Sequence, residues 1–123
     1  MLLQHSDFVS LHVPGNADTR HLIDASRLSQ LPSHAHLINT ARGSVVDEDA
    51  LIHALANRRI AGAGLDVFAQ EPFVPDTLLA LPNVCTVPHM ASATVESRTA
   101  MGMLVVENLE AYFAGQRPPN QIN

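Results

Sequence analysis

The chain reads as an α/β protein built on one parallel sheet with helices on both faces. Three observations carry that reading. Four short apolar runs, residues 8–13, 35–39, 61–67 and 84–87, are continuous rather than alternating, as strands covered on both sides are. Helical patterns lie between them, and such alternation builds parallel sheets. Three of the runs lead into polar-tipped segments: Asn39-Thr40-Ala41-Arg42-Gly43, Asp66-Val67-Phe68-Ala69-Gln70-Glu71-Pro72 and Pro88-His89-Met90-Ala91-Ser92. Open parallel sheets bind ligands outside the carboxyl ends of their strands, so these tips are where a site belongs.

The elements follow in order. Met1 to Asp7 resembles the tail of a helix leading into the first strand. Asp24 or Ser26 can then cap a short helix that turns Leu28 and Leu31 inward. Beyond the second strand, Asp47 is a good N-cap for a helix carrying Leu51, Ile52 and Leu55, and Glu48 and Asp49 sit favourably at its positive end. Residues 68–82, with three prolines, predict a long non-helical stretch broken by one apolar turn at 78–81. Thr94 can cap the last helix, where Met101, Leu104, Val105, Leu109 and Tyr112 recur at helical spacing. Gly115 stops it, and Pro118-Pro119 prevents its resumption.

Composition narrows the function classes. At 123 residues the chain is one domain at most, long enough to bury a core, and a hydrophobic share of 46% excludes disorder. A net charge of −5, with only Arg58 and Arg59 adjacent, argues against a nucleic-acid partner. No run approaches the roughly 20 apolar residues of a membrane span, and no basic segment before a long apolar core marks a signal peptide. The lone Cys85, within Val84-Cys85-Thr86-Val87, has no disulfide or metal-motif partner and reads as a small buried side chain. A reducing cytoplasm is the expected setting. His34-x-His36 lacks a third ligand at suitable spacing, so no metal site is expected, and His5, His12, His21 and His53 read as surface or packing residues.

The strand-end residues suit acid–base chemistry on a small carboxylate. Arg42 offers a planar, permanently charged fork that donates two parallel hydrogen bonds to a carboxylate; it could instead pair with the acidic cluster at Asp47 to Asp49. His89 can give and take a proton near neutrality. Glu71, a glutamate before proline, reads by itself as a solvated loop charge. Asp66, closing an apolar strand, reads by itself as a helix or turn cap.

Three motifs in order resemble the NAD(P)-dependent D-2-hydroxyacid dehydrogenases. Asn39-Thr40-Ala41-Arg42-Gly43 with Asp47-Glu48-Asp49-Ala50-Leu51 is similar to that family's arginine signature. Gly64-Leu65-Asp66-Val67-Phe68 with Glu71-Pro72 is similar to its acid signature, and Pro88-His89-Met90-Ala91-Ser92-Ala93-Thr94 to its histidine signature. Pro14-Gly15-Asn16 followed by Thr19-Arg20-His21-Leu22-Ile23 is most similar to the glyoxylate and hydroxypyruvate reductase branch. Met90-Ala91 replaces the commoner Ile-Gly, and His34 stands where lysine is frequent.

The resemblance implies that residues 1–123 form the second half of a Rossmann-like NAD(P)-binding domain. No GxGxxG occurs in the sequence, so the glycine-rich half and the substrate domain are not represented. It further implies an oxidoreductase that interconverts a small 2-oxo acid and its 2-hydroxy acid by hydride transfer with NAD or NADP. Arg42, Glu71 and His89 would be catalytic: Arg42 grips the carboxylate and polarises the keto oxygen, His89 moves the proton, and Glu71 orients the imidazole. Asp66 would contact the nicotinamide carboxamide. Thr40 and Ala41 would border the nicotinamide ribose, Val13 and Pro14 would line the adenine side, and Thr19, Arg42, His89 and Ala91 would complete the cofactor contacts. Full-length relatives are expected to be homodimers with no nucleic-acid or membrane partner. The alternative is a truncated, non-catalytic remnant or a regulatory relative that binds partners. The catalytic reading requires Glu71 and His89 within hydrogen-bond reach, on the same side of the sheet as Arg42.

Overall fold

The computed structural model describes residues 2–122, which fall into two compact units, 2–89 and 90–122. The first unit is built on a four-stranded sheet in the order β1 (Phe8–Leu11), β2 (His36–Asn39), β3 (Gly62–Leu65), β4 (Val84–Thr86). All three neighbouring pairs are parallel, with Leu11 opposite Asn39, Asn39 opposite Leu65, and Leu65 opposite Thr86. Every strand therefore ends at the same edge of the sheet.

The ladders are shorter than the apolar runs that predict them. The regular pairing of β1 stops at Leu11, and Pro14, which has no amide to donate, lies just beyond. Single hydrogen bonds carry the register slightly further: the Asp66 amide donates to the Asn39 carbonyl at 3.0 Å and the Val87 amide to the Leu65 carbonyl at 2.9 Å.

The helices begin where the sequence predicts. Asp24 caps α1 (Ala25–Leu28) by accepting from the Arg27 amide, and Ser26 lies inside that helix. Asp47 caps α2 (Glu48–Ala56) by accepting from the Ala50 amide. Residues 2–7 hold one 3-10 turn, Leu3–His5, rather than the end of an α-helix. Within the stretch 68–82 a short helix, α3 (Asp76–Leu79), forms after Pro75, whose carbonyl accepts from the Leu78 and Leu79 amides.

The core sits on one side of the sheet. Val9, Leu11, Leu37, Ala63 and Leu65 are buried together with Leu28, Leu51, Ala54, Leu55 and Leu78 from the helices. Fully burying one such leucine contributes about 1.5–3 kcal/mol. The opposite side carries Phe8, Ser10, Ile38, Gly64 and Cys85, which are exposed or half-buried. The expectation of coverage on both strand faces therefore holds for one face of this unit. Cys85 corrects the buried-thiol reading: it is exposed, because β4 is an edge strand and Cys85 falls on the open face, in register with Gly64.

The second unit carries α4 (Val95–Phe113), capped by Thr94, whose hydroxyl accepts from the Ser97 amide. Gly115 follows with φ +69°, the left-handed position that glycine supplies at helix ends. Met101, Leu104, Val105, Leu109 and Tyr112 line one face of α4 and are all exposed.

Candidate active site

The loops beyond β2, β3 and β4 each bring one reactive group to the carboxyl edge. Beyond β2, Asn39 is almost wholly buried and shapes the turn itself: its Oδ1 accepts from the Ala41 amide at 3.1 Å and its Nδ2 donates to the Arg42 carbonyl at 3.0 Å. This holds Arg42 at the turn with its side chain exposed. One Arg42 guanidinium nitrogen donates to the Ala41 carbonyl at 2.6 Å. Among the described residues no ion pair joins Arg42 to Asp47, Glu48 or Asp49. The alternative of an arginine spent on that acidic cluster is therefore set aside.

The loop beyond β1 packs against the same arginine. A Cβ on Gly15 would stand 2.8 Å from Arg42 Cγ, so the chain passes the arginine stem too closely for a side chain. Thr19 ties this loop by donating to the Pro14 carbonyl at 2.6 Å. Val13 is half-buried and Pro14 exposed. Beyond β3, Asp66 is buried, and the chain turns back so that Glu71 accepts from the Phe68 amide at 3.0 Å through Oε1. Thr40 is exposed at the tip of β2, and Ala41 is buried.

Glu71 and His89 meet. Glu71 Oε2 lies 2.7 Å from His89 Nδ1. The Glu71 carboxyl is held below its ordinary value, first by the His89 hydrogen bond and then by the Phe68 amide; desolvation opposes this, and the charges of His89 and Arg42 assist it. An ionised carboxylate only accepts, so Nδ1 carries the hydrogen and Nε2 is left to exchange a proton. His89 adopts φ +49°, a left-handed conformation uncommon outside glycine, and its amide turns back to the Val87 carbonyl at 3.1 Å. Non-glycine residues held this way cluster at functional sites.

A cavity of about 170 Å³ opens beside the pair, lined by Phe68, Glu71, Pro72, Val74, Pro88 and His89. Its largely apolar walls place one carboxylate and one imidazole together in a cavity open to solvent. Ala91 belongs to the second unit. His34 pairs with Asp7 at 2.9 Å and the His36 ring stacks on Phe8, at the amino ends of β1 and β2 and away from the carboxyl edge.

Sequence reasoning passed over two residues. Asn39 was visible only as part of a motif, and its signal is an amide side chain ending an apolar run. Glu48, read as a helix-end charge, also reaches across the chain: its Oε1 accepts from the Ala69 amide at 3.0 Å.

The family described as D-isomer specific 2-hydroxyacid dehydrogenase, NAD binding domain, matches residues 1–91. The chain is 51% identical over 122 residues to a glyoxylate reductase of Thermococcus litoralis, covering 99% of this chain and 37% of that protein. It is 49% identical over 115 residues to a glyoxylate/hydroxypyruvate reductase of Arabidopsis thaliana, covering 94% of this chain and 37% of the relative. The chain thus spans little more than a third of the curated relatives it matches. Among solved structures, it superposes with a TM-score of 0.87 on an NADPH-dependent glyoxylate/hydroxypyruvate reductase of Sinorhizobium meliloti in complex with NADP and malonate. Identity there is 52%, over 91% of this chain and 35% of the other. A D-isomer specific 2-hydroxyacid dehydrogenase of Polaromonas gives a TM-score of 0.95 at 38% identity, over 99% of this chain and 38% of the other. With its parallel sheet, its ordered strand-end motifs and a family match across three quarters of its length, the chain belongs to the D-isomer specific 2-hydroxyacid dehydrogenases.

Proposed function

We propose that this chain is the nicotinamide-side half of the NAD(P)-binding domain of an oxidoreductase that interconverts glyoxylate or hydroxypyruvate with the matching 2-hydroxy acid. The 2.7 Å contact between Glu71 Oε2 and His89 Nδ1 carries the reading, because it prepares Nε2 for proton transfer. Reducing a 2-oxo acid needs a grip on the carboxylate, a proton for the carbonyl oxygen and a hydride at C2. Arg42 provides the grip, its fork matching the two oxygens of a carboxylate. His89 Nε2 donates the proton in reduction and removes the hydroxyl proton in oxidation. Glu71 fixes the imidazole's tautomer and favours its charged form.

For a dinucleotide, the residues present suit one end. The buried Asp66 carboxylate closes β3 beside the tips of β2 and β4, where it can meet the nicotinamide carboxamide. Thr40, Ala41, Val13, Pro14 and Thr19 lie on the loops beyond β2 and β1, and Ala91 follows His89 in the chain. The pyrophosphate turn, a glycine-rich strand-to-helix corner, has no counterpart in this sequence. When bound, the dinucleotide supplies the hydride. The same reading includes a cytoplasmic setting, a homodimeric full-length form and no nucleic-acid partner. The net charge of −5 supports the last of these, and no helix among the described residues is long and apolar enough to cross a membrane.

The test places this chain in a chimera, replacing the matching segment of the Thermococcus litoralis glyoxylate reductase. The chimera is expected to reduce glyoxylate with NADH or NADPH. His89→Ala should lower kcat by ~10²–10⁴, the range for a lost general acid. Arg42→Lys, which keeps the charge and loses the fork, should raise KM for glyoxylate at least tenfold, about 1.4 kcal/mol. A folded chimera that turns over no 2-oxo acid would favour the non-catalytic remnant. Full activity in both variants would refute the assigned roles.

A further inference from the structure

We propose that Glu48 is a positioning residue for the Glu71–His89 pair: by holding the Ala69 amide it sets the loop that presents Glu71 to the imidazole. The proposal rests on the acid–base reading of that pair. Glu48 is the first residue of α2, and its side chain crosses 21 residues of sequence to accept from the Ala69 amide at 3.0 Å. The neighbouring Phe68 amide donates to Glu71 Oε1, also at 3.0 Å. Two consecutive loop amides are thus taken by two carboxylates, one anchored on a helix and one carried by the loop. The second carboxylate uses its remaining oxygen on His89.

The loop is closely packed on one side. It runs over Gly43, where a Cβ would stand 1.9 Å from the Phe68 carbonyl oxygen and 2.5 Å from the Ala69 nitrogen. Gly43 limits the backbone at Phe68 and Ala69 on one side, and Glu48 tethers it through the Ala69 amide. Glu71 lies only two residues past that tether, so a slip of the Ala69 amide moves the carboxylate facing His89. Arg20, His21, Asp47 and Asp49 line the hollow of about 380 Å³ beside Glu48, and Glu48 alone among these acids accepts from the loop among the described hydrogen bonds.

A simpler role would confine Glu48 to the α2 terminus, where any negative charge is favourable. Side-chain length separates the two roles. Glu48→Asp keeps the charge and loses the reach; Glu48→Gln keeps the reach and an acceptor oxygen and loses the charge. On the 123-residue chain, carbon-detected NMR would follow the Glu71 carboxyl titration, with amide spectra reporting the fold. The Glu71 midpoint, held below its ordinary 4.5 in the parent, is expected to rise in Glu48→Asp and Glu48→Ala and to stay in Glu48→Gln. Exchange of the Ala69 amide should quicken at least tenfold in the first two only.

A Glu71 midpoint unmoved by Glu48→Asp, or moved as far by Glu48→Gln, overturns the proposal. Should the substituted chains fail to fold, the parent decides it: an Ala69 amide exchanging as fast as a free loop amide overturns it directly. In the Thermococcus litoralis chimera, Glu48→Asp should lower kcat at least tenfold while KM for glyoxylate stays within twofold. If the titrations behave as expected and turnover does not change, the positioning stands and the acid–base reading of the pair falls.

Discussion

At the residue scale, the Glu71–His89 contact links pH to both stability and chemistry. The Glu71 carboxyl is depressed below 4.5, chiefly by the His89 hydrogen bond. For a depressed acid the sign is fixed: the stabilisation is fully present above the ordinary value and is lost as pH falls through the folded one. Glu71 keeps about a third of its side chain exposed, so water screens the pair. The contribution belongs near the exposed-pair range of ~0.2–1 kcal/mol rather than the buried one. Urea unfolding of the parent and of Glu71→Gln checks this. The difference should reach ~0.5–1 kcal/mol near pH 6 and shrink toward zero near pH 3. A gap of equal size at both values would mean that ionisation of Glu71 contributes nothing.

At the element scale, the short distance between two loops is the most demanding feature. Gly43 opens the turn after β2, and the chain beyond β3 crosses it without space for a methyl group. The backbone carbonyl of Phe68 is the obstacle, and it cannot swing aside as a side-chain tip could. Gly43→Ala should therefore destabilise the chain by ~1–3 kcal/mol, the usual cost of overpacking, read as a lower urea midpoint at unchanged slope. A midpoint equal to the parent's would show that the loop yields freely. Much of this level is legible in the sequence. Asp24, Asp47 and Thr94 cap their helices because a short acceptor side chain before an apolar period has a local meaning. Arg42, Glu71 and His89 are legible for a related reason, since polar groups after apolar runs fall at the sheet edge where ligands bind. The Glu48–Ala69 contact is not legible, because it joins residues whose proximity exists only once α2 and the β3 loop are folded together. Cys85 misleads for a third reason: the apolarity of Val84 to Val87 is that of a strand, and it does not say which face is covered.

At the scale of the whole molecule, apolar surface is left in contact with solvent in both units. In the first, Phe8 lies on edge strand β1 at 69% exposure, and Cys85 lies on edge strand β4. Unpaired strand edges template association unless charge or proline blunts them, and the four residues of β1 contain neither. In the second unit, Met101, Leu104, Val105, Leu109 and Tyr112 form an apolar row on α4, and Val106 and Phe113 add to it. A water-facing helix ordinarily keeps polar residues on its outer side, so a row this exposed is a surface that gains by being covered. The 123-residue chain on its own is therefore expected to self-associate as its concentration rises into the tens of micromolar, measured by sedimentation velocity. Val105→Glu combined with Leu109→Lys should suppress association while leaving the β1–β4 unit folded, because the buried core of that unit is built from its own residues, Val9 to Leu78. Equal association in this double variant would move the cause to the β1 edge, and Phe8→Lys would then be the substitution that restores the monomer. A parent chain monomeric throughout that range would show that the exposed row on α4 does not drive assembly at all.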